Sequence, residues 1–116
     1  MQTIAIAVPL LSGRTESHRN ELTSCWLGGR REAHQDSRRR AGIIREAVWI
    51  QTTPGGDLAV VLLDADDLDI ALMVLETSDE PFDHWFRDHV RQVNGISWAE
   101  AVRSAQLALD FDTNRI

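Results

Sequence analysis

Lysine and tyrosine are absent from this chain of 116 residues, and cysteine occurs once. A lone cysteine, Cys25, closes no internal disulfide, so a reducing compartment, the cytoplasm, is expected. Its neighbour Trp26 and a helical pattern mark Cys25 as a small buried hydrophobe rather than a nucleophile. No run approaches the roughly 18 apolar residues of a membrane span. The short apolar stretch Ile4 to Leu11 has no positive leader and reads as a strand, not as a signal peptide. Phosphate-binding glycine loops, a nucleophile elbow and zinc cysteine pairs are all missing from the sequence. All 12 basic residues are arginine, which codon usage explains without any functional reading.

What is present has the balance of one globular domain, taken as residues 1–116, with 43% hydrophobic and 26% charged residues. Charge is divided unevenly. Residues 14–45 hold eight arginines and four acids, a net of +4, whereas residues 46–116 hold four arginines and fourteen acids, a net of −10. The basic half is read as a solvated helix face. With an overall charge of −6 the chain is expected to repel phosphate, so neither nucleic acid nor membrane is assigned as a partner.

Thr3 to Leu10 alternates, with Ile4, Ile6, Val8 and Leu10 on one face and Thr3, Ala5, Ala7 and Pro9 on the other: strand periodicity. Residues 12–41 read as a long helix weakened or bent at Gly28-Gly29. Arg38-Arg39-Arg40 in its last turn suit the helix dipole, and Gly42 fits the cap. Ile43–Thr53 and Leu58–Ala65 form a hairpin around the turn Pro54-Gly55-Gly56-Asp57. Asp66 then caps a helix to about Thr77, and Pro81 opens another whose stripe is Phe82, Trp85, Phe86, Val90 and Val93, stopped by Gly95. Ser97-Trp98-Ala99-Glu100 is a capping box. Residues 98–116 form a C-terminal extension, in which 105–111 can be either the end of a helix or a terminal strand.

The fold class expected is α+β, with a ferredoxin-like antiparallel sheet and helices on one face. With a four-residue loop, Trp49 opposes Leu62 and Gln51 opposes Val60. One hairpin face then carries Val48, Ile50, Val61 and Leu63, and the other Ala47, Trp49, Gln51 and Asp64. The first meets the helices. The second calls for another cover, such as the sheet of a second copy.

The residues Gly42-Ile43, Glu46-Ala47-Val48-Trp49-Ile50-Gln51, Thr53 to Val61 and Ser78 to Phe86 carry a resemblance. Over roughly residues 3–96 the chain is similar to the dimeric α/β-barrel superfamily, and within it to small bacterial proteins with no assigned activity. The resemblance implies a homodimeric barrel with an enclosed pocket, not a particular reaction, since monooxygenases, isomerases and non-enzymatic binders share the shape.

For the pocket, Arg45, Trp49, Gln51 and Asp64 on the mixed hairpin face are the candidate ligand-binding residues, set against the alternative that they only fill an interface. His84, Trp85 and His89 are added because relatives that handle haem use a helical histidine. His84 and His89 are five apart and point in different directions, so no metal site and no cofactor are assigned. Glu46, on the other strand face, reads as a strand-end ion-pair partner. The leading expectation is a small apolar ligand held between subunits. The alternatives are a cofactor-independent monooxygenase or isomerase, and a purely structural or interaction domain.

Overall fold

A computed structural model describes residues 1–115. Its order is β1 (Gln2–Pro9), α1 (Thr15–Trp26), α2 (Arg31–Ala41), β2 (Ile43–Thr53), β3 (Gly56–Ala65), α3 (Leu68–Thr77), α4 (Pro81–Asn94) and α5 (Trp98–Ser104), followed by a single 3₁₀ turn, Thr113–Arg115. The protein is thus α+β, with one three-stranded antiparallel sheet of order β1-β3-β2. β1 and β2 flank β3 and are joined through the α1–α2 pair. The longest-range pairing, Gln2 with Ala65, closes the sheet across most of the chain's first half.

Alternation in the strands decides which side is covered. Ile6 and Val8 of β1 and Ala59, Val61, Leu63 and Ala65 of β3 are buried. Ile6, Val8, Val61 and Leu63 meet Cys25 of α1, Phe86 and Val90 of α4, and Trp98 and Ala101 of α5 in one core. Ala71 of α3 packs with Ala41 and Ala65 in a smaller cluster. Among the described residues no helix covers the opposite sheet face: Thr3, Ala5, Ala7, Pro9, Arg45, Trp49 and Gln51 are exposed there, and Leu58, Val60 and Leu62 half-buried.

The hairpin differs from the expected register. Thr53 pairs with Gly56 and Thr52 with Asp57, which leaves a two-residue loop, Pro54-Gly55, where four residues were expected. Trp49 therefore faces Val60, and Gln51 faces Leu58. Gly56 reaches φ +126°, beyond the range of an L side chain, and Thr53 Oγ1 donates to its carbonyl at 2.6 Å, so the ladder continues into what looked like turn. The slip is two residues, an even number, so both faces keep their members.

One long helix, weakened or bent at Gly28-Gly29, was expected over 12–41; the chain makes two, parted at that place. Leu27 to Arg30 break it, with Arg30 N–H donating to Ser24 O and Arg31 N–H to Gly28 O as the chain turns. Gly28 is required there: a Cβ on it would lie 2.9 Å from Ser24 Cα. The helix starting at Asp66 begins one residue later, with Asp67 as the cap accepting from Ile70 N. Gly42 (φ 74°) and Gly95 (φ 76°) end α2 and α4 as expected, and Ser97 accepts from Glu100 N at α5. The last helix stops at Ser104, so 105–111 is neither of the two alternatives expected for it. Residues 105–112 are neither helix nor strand, and Leu107, Leu109 and Phe111 stand exposed.

Replacing Gly28 by Ala should cost about 1–3 kcal/mol, because the added methyl has backbone in its way and nothing flexible to displace. Gly29→Ala, where nothing lies within 4 Å, should be nearly neutral. Urea unfolding of the two variants checks this, and equal midpoints would refute the close-approach argument.

Candidate functional site

α1 turns Leu22, Cys25 and Trp26 to one side, at the i, i+3, i+4 spacing that shares a helix face. α2 adds His34. β2 is an edge strand, so side chains from both of its faces reach the same place: Glu46 and Val48 from the inner face, Ala47 and Trp49 from the outer. Together they line a cleft of about 360 Å³ along the free edge of β2. Its rim is aromatic, with Trp26 65% and Trp49 52% exposed.

The polar floor is built around Glu46. Its Oε1 accepts from Arg38 Nε at 2.7 Å and from His34 Nε2 at 2.9 Å, and its Oε2 accepts from Arg38 Nη2 at 3.0 Å. The Glu46 and Arg38 side chains are 7% and 6% exposed. Burial alone would push the Glu46 carboxyl up. The Arg38 charge, helped by the bonds from His34 and Arg38, overrides it and holds the carboxyl at about 2. An ionised carboxylate only accepts, so the proton in the His34–Glu46 bond sits on His34 Nε2.

The network continues away from the cleft. Arg38 Nη1 donates to Ser37 Oγ at 2.9 Å, Ser37 Oγ donates to Asp83 Oδ1 on α4, and Arg40 Nη1 donates to Asp83 Oδ2 at 2.8 Å. The Asp83 carboxyl lies below its ordinary range: burial opposes this, but the bonds from Ser37, Ser78 and Arg40 win. Phe86 stacks under the Arg38 guanidinium at 4.4 Å. The Arg38-Arg39-Arg40 cluster is therefore not simply a charged helix end, since Arg38 is buried in the core. Glu46 is an ion-pair partner as expected, but deep inside rather than at a strand end.

A second polar group lies between α1 and α4. His18 Nδ1 and His89 Nε2 are 2.9 Å apart and buried. Trp85 stacks on His89 at 5.6 Å, and Arg30 covers Trp85 at 3.9 Å, itself tied to Glu21 at 3.0 Å. Burial, with the His89 charge adding to it, lowers the His18 imidazole to about 4, and burial also lowers His89.

The residues singled out from sequence fall into separate places. Trp49 lines the cleft. Arg45 and Gln51 lie on the open sheet face, as does Asp64, which accepts from Thr3 Oγ1 at 2.6 Å. His84 is on the outer side of α4, 3.9 Å from Asp88 and facing water. Trp85 and His89 belong to the Arg30–Trp85–His89–His18 column. Leu22, Trp26, His34 and Glu46 were not among the candidates. The available signal was Glu46, which shares its strand phase with the half-buried, core-facing Val48 and Ile50. A carboxylate on that face requires a buried partner.

Burial pushes the Cys25 thiol up, away from nucleophilic use. Among the described residues no group of three His, Cys, Asp or Glu side chains could hold a metal ion, and no helix is long and apolar enough to cross a membrane. Comparison of the chain with protein-family models, curated proteins and solved structures returns no match, so the reading of the site rests on its geometry.

Two outcomes are expected. Glu46→Gln strands the buried Arg38 charge and should cost about 3–5 kcal/mol in urea unfolding; an unchanged midpoint would mean that the pair is not formed. The imidazole of His18 has a folded pKa of about 4 against 6.5 unfolded, so the unfolded chain binds the extra proton between those values. Stability should be fully present above 6.5 and fall by about 3 kcal/mol as the pH drops to about 4. Unfolding free energy measured along that series should show the slope; a flat profile would place a charged His18 in the fold.

Proposed function

We propose that this chain is a ferredoxin-like cytoplasmic domain that pairs with a second copy through its open sheet face and holds a small apolar ligand in the cleft beside β2. The observation that carries the reading is that bare face. Ala5, Ala7, Leu58, Val60, Leu62, Ala47 and Trp49 form an apolar surface across three strands, with Trp49 at its boundary with the cleft. Surfaces of this kind are unusual on a protein that stays alone.

The occupant that fits is another copy of the same chain. The molecule carries a net charge of −6, so a partner of like charge is repelled everywhere except at a neutral surface. This face is neutral: its charged residues are Arg45 and Asp64, cross-strand neighbours of opposite sign. The order β1-β3-β2 with a helical crossover supports the ferredoxin-like assignment, with no fourth strand among the described residues. The free, buried Cys25 supports a reducing compartment. A volume of about 360 Å³ with an aromatic rim and a few polar groups fits a small ligand site. Trp49, set at the meeting point of face and cleft, would couple pairing to binding.

Native mass spectrometry and sedimentation test this. The wild-type chain should be a dimer at micromolar concentration and bind naphthalene, read by tryptophan fluorescence. Val60→Glu, at the centre of the open face, should give a folded monomer with weakened naphthalene binding. A wild-type monomer would sink the proposal.

A further inference from the structure

The cleft pairs an apolar rim with one polar group that is positioned but not consumed. His34 lines it, and its Nε2–H is committed to Glu46. Its other ring nitrogen, Nδ1, makes no hydrogen bond among the described residues, and it is not among their buried polar atoms lacking a partner. The His34 side chain retains 19% exposure, so the ring is held from behind and open in front. A carboxylate fixed by an arginine, holding one nitrogen of an imidazole so that the other can accept a proton, is the arrangement that prepares a histidine as a base.

We propose that the cleft is a proton-accepting site in which His34 Nδ1 takes the hydrogen of a small apolar molecule bearing an acidic hydroxyl, a phenol or an enol. This rests on the ligand reading given above and names its chemistry. The O–H bond of the ligand breaks and its electron pair stays on oxygen. A new N–H bond forms at Nδ1, and the positive charge on the ring is held by Glu46 through Nε2–H. Protons and charge balance within the site, and no further reactant is needed.

The class of ligand follows from what faces the cleft. Among the described residues that line it there is no arginine. Arg38, directly behind, spends Nε and Nη2 on Glu46 and Nη1 on Ser37. A ligand arriving as an anion would find no free cation and would lie next to the Glu46 carboxylate, so carboxylates and phosphates are disfavoured. A neutral molecule with a hydroxyl finds an acceptor. Leu22, Trp26, Val48 and Trp49 supply the apolar and stacking surface for its body.

The test uses the wild-type chain with 4-cyanophenol, whose phenolate absorbs apart from the phenol, at a pH where the free probe is mostly protonated and a free imidazole mostly neutral. Saturable growth of the phenolate band is expected. Nitrogen-15 spectra of the imidazoles should show His34 protonated on Nε2 alone before binding and on both nitrogens after it. His34→Gln, which keeps a polar side chain but takes no proton, should reduce the band roughly tenfold while naphthalene still binds. If naphthalene binds but the band is absent, or the band is the same in His34→Gln, the proton-accepting role falls and the ligand site stands. If neither probe binds the wild type, both fall together.

Discussion

The bidentate Arg38–Glu46 pair is the constraint around which this fold is arranged. It joins the end of α2 to the inner face of β2, and through Ser37 and Asp83 it reaches α4. Two charges taken out of water are tolerated only where their geometry and remaining hydrogen bonds are complete, and here they are. Both Glu46 oxygens and all three nitrogen positions of Arg38 have partners. A buried aliphatic contact tolerates sliding; a forked guanidinium on a carboxylate does not. The pair therefore sets how α2 lies on the sheet, while the apolar core supplies most of the driving force.

The same pair organises the cleft. Because Glu46 is neutralised from behind by Arg38, it can orient His34 without presenting a bare charge to the apolar rim. The column of Arg30, Trp85, His89 and His18 does comparable work between α1 and α4, using stacked planar groups in place of an ion pair. The α-helical layer is thus pinned at two polar points, with aliphatic packing between them.

Sequence reasoning was strongest where a signal is local. The glycines ending α2 and α4, the Ser97 capping box, the α4 stripe and the two faces of the hairpin are all carried by residues within a few positions of each other. It was weakest for the buried polar groups. His18 and His89 are 71 residues apart, and Ser37 and Asp83 are 46 apart, so no periodicity links them. Hydrophobic patterning assigns charged residues to water by default, and that default sent Arg38 to a helix end. The interruption at Gly28-Gly29 was legible as a bend but not as a full break, and the two-residue hairpin loop was missed, because each depends on a close backbone approach or a backbone angle that glycine permits but does not announce. The candidate site inherited these gaps. Trp49 was found through its strand face, whereas His34 is identified only by the carboxylate it meets across a turn of chain.

The bulge at Ile44 has a consequence for how this chain can change over generations. Ile43 pairs with Ala65 and Arg45 with Asp64, so Ile44 is an extra residue between them. Upstream, α2 advances by about 100° per residue; downstream, β2 alternates by 180°. A joint between two such unlike periods transmits every inserted or deleted residue as a rotation of one element against the other. The supernumerary Ile44 supplies slack at that joint, allowing Ile43 and Glu46 to face inward together. Gain or loss of one residue is absorbed most readily at this position. The same event two residues downstream would send the Glu46 side chain out of the core and leave its arginine behind.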